Sequence, residues 1–580
     1  MNESPGGRSN TELQMLGRVK ARHRYFPGVV LVLLCLIFAA CTPVRYRKWA
    51  DEETYKILAQ KAARVPNVDP DISIEPETRI VLKNLAKSNQ RTDFLGVEGA
   101  LAEKGADVLK LADSLELAIK HNRTYLTSKE TIYLQALELT LARWEFAPIF
   151  SVNGAAKRGL EVQGMAGGVE RGIDSVIAQN SFNTRTNAGV EMLQRTGARL
   201  AVDFSTDFMK FIGGERSINN SALAVTLAQP LLKGGGVLAA TENLTQAERE
   251  MLYALRDFAN YRREFIVGIV AGYYNVLRAR DRALNTWVGY QGFVTSVQRE
   301  TALAEEDRRT QSELGLLQQA TLRNEGQWVN ALRDYQQQLD EFKMTLGLPV
   351  ESLVVLDVEE LKKLELELPK LTRMQAVNVA IASRPDLITA NDRRIDADRK
   401  IEVAKVDLRG GLDVVGGYEL TGPAVDGNPI KTLSRNNWTA GLAVDLPMDR
   451  KEERNNYRAA IIALEQSKRN LELAYDEVKL QIFDDWRSLN QAQQNFKISE
   501  LGVKLAERRV EQQVLLAELG QGKARDQVDA QQDLTNSLNQ RTSAIVDHTL
   551  ARIGLWQDMG ILFINKDGSC EKKLEAEANE

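Results

Sequence analysis

The sequence predicts a mainly α protein with some β structure, organised as two tandem repeats of long helical hairpins interrupted by short runs of strands. Three observations predict it. No Pro stands between Pro230 and Pro349 and none follows Pro447, and both stretches are rich in Leu, Ala, Gln, Glu and Arg, the composition of very long helices. The chain matches itself as two copies of one pattern. Between the helical stretches lie segments in which apolar residues alternate with small or polar ones. With 580 residues, 43% apolar and 27% charged residues and a net charge of −4, the chain is neither disordered nor a simple polyanion binder, and no nucleic-acid partner is expected.

Taken in order, residues 1–40 read as a signal peptide. Arg18, Lys20, Arg22 and Arg24 precede the apolar run Phe26 to Ala40, which is too short to span a bilayer comfortably. The run closes on Phe38-Ala39-Ala40-Cys41, which resembles a bacterial lipobox with Phe38 where Leu is usual. Cys41 is therefore expected to carry a covalent lipid, palmitate included, as the new N-terminus; the alternative is ordinary cleavage beside an unrelated Cys. Cys35 lies in the leader, so Cys570 is the only other thiol of the mature chain and no intrachain disulfide framework exists. His121 and His548 sit in no zinc-binding context, and neither a metal nor any other cofactor is expected.

After an N-terminal periplasmic segment, 41–110, the repeat begins. Ala118-Ile119-Lys120-His121-Asn122 recurs as Ala380-Ile381-Ala382-Ser383-Arg384, and Phe150 to Gly154 falls on Leu412 to Gly416, both at an offset of 262. Ala222 to Pro230 falls on Thr439 to Pro447 at an offset of 217, so the first copy holds 45 extra residues, at about 165–210, read as an additional hairpin or long loop. Repeat 1 is placed at 111–348, a linker at 349–375, repeat 2 at 376–558 and a disordered acidic tail at 559–580. Leu442, Val444 and Leu446 alternate with Gly441, Ala443 and Asp445, a period of two. That alternation fits a soluble sheet with one face in the core, and equally a membrane barrel with lipid outside and a polar lumen. Tyr418 and Trp438 fit an interfacial aromatic girdle or ordinary sheet packing.

After each strand-ending Pro the spacing turns helical. Trp328, Leu332, Tyr335, Leu339, Phe342 and Leu346 keep heptad spacing, as do Ile461, Leu464, Leu471, Tyr475, Val478 and Ile482, so helical hairpins are expected at about 237–346 and 450–555. They fold back near Arg308 to Gly315 and at Leu519-Gly520-Gln521-Gly522. Gly520-Gln521-Gly522-Lys523 is not a phosphate loop, since Ala524 stands where Ser or Thr is required and no strand precedes it. No catalytic constellation stands out, and no enzymatic activity is expected.

Leu346-Gly347-Leu348-Pro349 closing a long helix, then Ser383-Arg384-Pro385-Asp386-Leu387 followed by Ala390 and Ile401 to Ala404, resembles the TolC-type outer-membrane efflux protein family, in a lipoprotein-anchored form. Gln229-Pro230-Leu231-Leu232-Lys233-Gly234-Gly235-Gly236 and Trp438 to Pro447 resemble its two strand-to-helix junctions, and the likeness covers about residues 110–560. Asp449-Arg450-Lys451 departs from the Gly the family often has there, and the first hairpin tip lacks the Gly that the second has. The resemblance implies a homotrimer in the outer membrane of a Gram-negative-type bacterium. Each chain would give four strands to a shared twelve-stranded transmembrane β-barrel and long helices to a periplasmic α-barrel. It implies a passive duct serving an inner-membrane RND or ABC transporter through a periplasmic adaptor, in efflux or type I secretion.

Within that frame Gly522, Arg525, Asp526 and Asp529 are the candidates for a periplasmic constriction, because carboxylate rings converging on an axis favour cations and paired Arg would hold a closed state. The other reading of these residues is a solvated helix face. The acidic run Glu305, Glu306 and Asp307 fits solvated surface, and Leu314, Gly315 and Leu316 resemble the adaptor-docking surface, with coiled-coil core as the alternative. A second class of function also stands: a lipid-anchored periplasmic coiled-coil scaffold without a pore. If Cys41 carries the lipid, Cys41→Ser abolishes metabolic palmitate labelling of the chain; persistent labelling would refute the lipobox reading.

Overall fold

The structure is a computed structural model that describes residues 42–69, 72–75, 85–164, 176–212, 217–305, 310–364, 366, 369, 371–423, 433–446, 448–519, 521–564 and 570–572. The leader with Cys41, together with Glu306, Asp307, Gly520 and most of the acidic tail, lies outside the described residues.

Helix α1 (Pro43–Ala62) is followed by α2 (Gly96–Glu103), strand β1 (Asp107–Leu109), and helices α3 (Leu111–His121) and α4 (Arg123–Trp144). Four strands come next: β2 (Ile149–Gly164), β3 (Val176–Leu193), β4 (Arg199–Ile212) and β5 (Ser217–Pro230). The first long hairpin is α5 (Glu242–Glu305) with α6 (Gln311–Thr345). Strand β6 (Val354–Leu356) and helices α7 (Arg373–Ser383) and α8 (Pro385–Asp407) lead to β7 (Gly411–Pro423) and β8 (Arg435–Asp445). The second hairpin is α9 (Lys451–Glu518) with α10 (Ala524–Asp558).

The helices form four columns per chain. Both α4 and α6 pack on α5, both α8 and α10 pack on α9, and α8 and α10 also contact α5, so the order across the layer is α4/α6, α5, α8/α10, α9. At 64 and 68 residues, α5 and α9 are each about 100 Å long at the usual rise of ~1.5 Å per residue. The predicted seam of the first hairpin is buried at Tyr335, Leu339, Phe342 and Leu346. That of the second is buried at Val478 and Ile482, whereas Ile461, Leu464 and Leu471, nearer the strands, are only partly covered.

The motifs at the repeat junctions have local physical causes. Gly347 ends α6 with φ +79°, and a Cβ there would lie 2.3 Å from the His121 carbonyl oxygen, so only Gly fits. Pro385 occupies the first turn of α8, where a missing N–H costs nothing, and Arg384 pairs with Asp386 at 2.7 Å while donating to the Asp558 carbonyl at 3.2 Å. The N-terminal segment and the linker between the repeats are joined in parallel by β1 and β6, with Asp107 opposite Val354. Above this, Arg280 donates to Glu103 at 2.9 Å and the Tyr335 hydroxyl donates to the same carboxylate at 2.5 Å, a buried network that fixes α2 against α5 and α6.

Some expectations are corrected. The chain supplies six strands to one antiparallel sheet, in the order β2-β3-β4-β5-β7-β8, and not four. Of the two readings of the extra segment in the first repeat, the hairpin holds: it forms β3 and β4, which pair in continuous register with β2 on one side and β5 on the other, because its alternation has the same phase as theirs. At the C-terminus, Leu562–Ile564 pairs antiparallel with Cys570–Lys572, so the segment expected to be disordered from residue 559 is ordered at its start. The turn of the first hairpin lies between Glu305 and Gln311, which places Gly315 inside α6.

Where the middle of α9 passes the C-terminal end of α10, the Asp485 carboxyl is pushed up to about 7, first by burial and then by the facing Asp558. A folded-state value above the ordinary 3.8 means the fold binds an extra proton between these limits, so stability rises as pH falls through 7. Asp485→Asn is expected to raise the thermal midpoint at pH 8, with the advantage fading towards pH 5; an equal effect at both pH values would contradict the assignment.

Candidate functional site

Two regions carry functional geometry: the free ends of the helical hairpins and the faces of the six-stranded sheet. At the first free end, the Thr310 hydroxyl accepts from the Glu313 amide at 3.3 Å and Glu313 reaches back to the Thr310 amide, a capping box that starts α6 without the Gly used at the other tip. At the second, Gln521 and Gly522 both donate their amides to the Leu516 carbonyl at 2.9 Å. A Cβ on Gly522 would lie 2.9 Å from the Ala517 nitrogen, so the tight reversal into α10 needs Gly.

Arg525, Asp526 and Asp529 are exposed on one side of the first turns of α10, while Ala524, Gln527 and Ala530 face inward. Asp526 is acidic in the first turn of α10, where the helix dipole favours a negative charge. Among the described residues no ion pair joins Arg525 to either carboxylate within one chain. The structure thus brings the four tip candidates together at one end of the molecule and leaves their charges facing outward. The docking candidates divide: Leu314 is 9% exposed and belongs to the interior of the hairpin, whereas Gly315 and Leu316 are exposed.

The seam between the two hairpins, α5 against α10, is apolar where Val546 joins the core around Tyr273 and Leu277, and polar from there towards the tips. Arg278 pairs with Asp547 at 3.0 Å, the Thr542 hydroxyl donates to Asp281 at 2.5 Å, and Asn285 donates to Asn539 at 3.1 Å. Nearer the tip, Gln527 donates to the buried Glu300 at 3.5 Å. Between these contacts Gly289 and Gly292 let the helices approach: a Cβ on Gly289 would lie 2.5 Å from the Thr535 hydroxyl, and one on Gly292 3.1 Å from the Gln531 amide group. The sequence reading missed this seam. Its signal was two Gly three residues apart inside a long helix, together with acids at helix positions that proved to be inward-facing.

Towards the sheet the same helix is held by charge. Arg399 pairs with Glu242 and with Asp396, each at 2.7 Å, Arg256 pairs with Asp392 at 2.6 Å, and the Tyr253 hydroxyl donates to Asp396 at 2.5 Å. Burial, and then the bond to Asp396, pushes the Tyr253 hydroxyl up to about 12, so it stays a donor at any physiological pH.

The register sorts the sheet into two faces. On one, Phe150 and Val152 of β2, Val190 of β3, Leu200, Val202 and Phe204 of β4, Leu223, Val225 and Leu227 of β5, and Leu412, Val414 and Tyr418 of β7 follow one another across the strands to Trp438, Leu442 and Val444 of β8. The opposite face carries Asn153, Asn187, Asp203, Ser205, Thr226, Glu419 and Thr439. The apolar face is open: Phe150 and Val152 are 76% exposed, Trp438 74% and Leu442 66%. Among the described residues, the outer edges of β2 and β8 have no neighbouring strand. No helix of the described residues is long and apolar enough to cross a membrane, and no cluster of metal-ligating side chains is present among them.

No family model matches the chain, and no curated protein matches it by sequence. Solved structures do match. The outer-membrane channel CmeC of Campylobacter jejuni is 13% identical with a TM-score of 0.54, over 87% of this chain and 97% of that one. The MtrE outer-membrane channel of Neisseria gonorrhoeae, solved in its open state, is 13% identical with a TM-score of 0.55, over 84% and 96%. The outer-membrane protein VceC of Vibrio cholerae is 11% identical with a TM-score of 0.56, over 78% and 96%. The chain has the fold of these outer-membrane channels, as the family resemblance of its motifs implies.

Gly289→Ala is expected to wedge α5 from α10 and lower the thermal midpoint, at a cost of roughly 1–3 kcal/mol for overpacking. Adding Thr535→Ala removes the obstructing hydroxyl and recovers most of the loss; an additive double mutant would show that the two residues do not meet.

Proposed function

We propose that this chain is the outer-membrane channel of a tripartite efflux or type I secretion system: a passive, trimeric, lipid-anchored duct, gated at its periplasmic helix tips. The observation that carries the proposal is the open sheet, apolar on one side and polar on the other, above four columns of helices. In lipid an open sheet edge is not tolerated, so such a sheet enters a membrane only as part of a closed barrel made from several chains.

The helical layer has matching free edges. The last column exposes Leu473, Leu480, Ile498, Leu501 and Leu505 on α9, and the first exposes Leu134 and Leu141 on α4 and Leu322 and Val329 on α6. Because β8 leads into α9 and α4 leads into β2, strand edge and helix edge fall on the same side of the chain at both ends. One edge of a protomer then meets the opposite edge of the next, a head-to-tail contact that closes into a ring. The ring is read as three chains, with the sheets in the outer membrane and the helices in the periplasm.

The polar seam between α5 and α10 supports gating at the tips. Its hydrogen-bonded and Gly-lined contacts exchange for water at less cost than an apolar core, so the second hairpin is free to swing from the first. Asp526 and Asp529, with Arg525 beside them and Gly522 at the turn, then ring the entrance. Exposed Gly315 and Leu316 offer the adaptor a surface on the other hairpin. Substrate is delivered by an inner-membrane RND or ABC transporter through that adaptor, and the duct performs no covalent chemistry and needs no cofactor beyond the lipid on Cys41.

The test is single-channel conductance of the detergent-extracted protein in a planar bilayer, with its oligomeric mass measured on the same sample. Discrete conductance from a trimer is expected, and Asp526→Ala with Asp529→Ala raises it. A soluble, non-conducting monomer or dimer would instead support the periplasmic scaffold, and unchanged conductance in the double variant would remove the two acids from the gate.

A further inference from the structure

We propose that all six strands of the chain are barrel staves, so that three chains close an eighteen-stranded barrel whose exit is about 1.5-fold wider than one built from four strands per chain, since barrel diameter grows roughly linearly with strand number. The inference rests on the channel reading above and concerns the β3–β4 hairpin, which the second repeat lacks.

Three observations place that hairpin in the barrel wall. Its inner turn, residues 194–198, is bonded to the junction where β5 passes into the helices. The Gly236 amide donates to the Thr196 carbonyl at 3.2 Å and the Gln229 side-chain amide donates to the same oxygen at 3.1 Å. Gly197, at φ +89°, comes so close that a Cβ would lie 2.8 Å from the Gly234 carbonyl. The hairpin therefore starts at the helical end of the sheet, where a flap hung from an outer loop would not reach.

Secondly, β3 and β4 obey the two-sided code of the other staves. Val190, Leu200, Val202 and Phe204 continue the apolar face, while Asn187, Asp203 and Ser205 continue the polar one. Arg185 and Asp207, opposite each other on that polar side, form an ion pair at 2.6 Å. An ion pair on one face and aromatic and branched side chains on the other match a stave between lumen and lipid.

Thirdly, the widths agree. Four helical columns at the usual 8–10 Å spacing subtend an arc of about 36 Å per chain. Six strands ~4.8 Å apart, tilted by ~40° as in membrane barrels, subtend about 38 Å, whereas four subtend only about 25 Å. With the extra hairpin in the wall, sheet and helical layer meet at equal circumference whatever the number of chains. Among the described residues the wall of the tunnel then opens to the outside without narrowing, and the constriction falls at the tips.

The test uses single cysteines in full-length Cys570→Ser protein, reconstituted in planar bilayers and treated with a charged, water-soluble thiosulfonate. Ser205→Cys, nearly isosteric, is expected to react and to reduce conductance in up to three steps, as is Thr226→Cys on the neighbouring stave β5. Val202→Cys is expected to be silent to this reagent and to react with a lipid-phase maleimide; Ala188→Cys, on the same face, replaces it if that variant does not assemble. Reaction of both Ser205→Cys and Val202→Cys from water, without effect on conductance while Thr226→Cys still blocks, would overturn the proposal and leave the channel intact. Absence of conductance in the Cys570→Ser parent would instead overturn the channel reading itself.

Discussion

Among the described residues each chain's sheet ends in two unpaired strand edges, and this constraint organises the rest of the molecule. A backbone N–H or C=O without a partner is costly in lipid, and the outer edges of β2 and β8 present whole rows of them. Among the described residues β2 and β8 do not pair, and six strands are fewer than the eight of the smallest membrane barrels. In the proposed channel closure comes from further copies, and the exposed apolar strips on α4, α6 and α9 would make the same head-to-tail contact in the helical layer.

The helical layer divides its interactions by task. Within a hairpin the contacts are apolar and deeply buried, as at Tyr335, Leu339 and Phe342, and they give the hairpin its rigidity. Between hairpins, α5 meets α10 through Arg278, Asp281, Asn285 and two Gly. Where the hairpins rise towards the sheet, charge takes over again, with Asp396 buried between Arg399 and Tyr253. The molecule is thus braced at the sheet end and at its middle, where Arg280, Glu103 and Tyr335 meet, and joined by exchangeable contacts towards the free tips.

The repeat explains both the economy and the asymmetry of the design. Each copy supplies a short helix, strands and a long hairpin, so one pattern used twice gives both the sheet and the helical columns. Only the first copy holds β3 and β4, and that insertion widens the sheet without adding a helix. The two tips also differ: one turns on Gly522, whereas the other starts its return helix with Thr310 and Glu313.

Much of this was legible in the residues. Pro-free stretches, heptads and alternation are local signals, and the repeat offset located the insertion at once, because side-chain periodicity follows directly from backbone geometry. The motif around Gly347 was readable as a helix end, though the cause, the carbonyl of His121, lies far away in the chain. What the sequence could not decide was pairing. The insertion read as a hairpin or loop until its register with β2 and β5 showed two more strands of one sheet, and Leu314 read alike as docking surface or core until the packing of α6 turned it inward. Period tells which residues share a face, but which partner that face or edge meets is a property of contacts between distant segments, and only the tertiary structure supplies those.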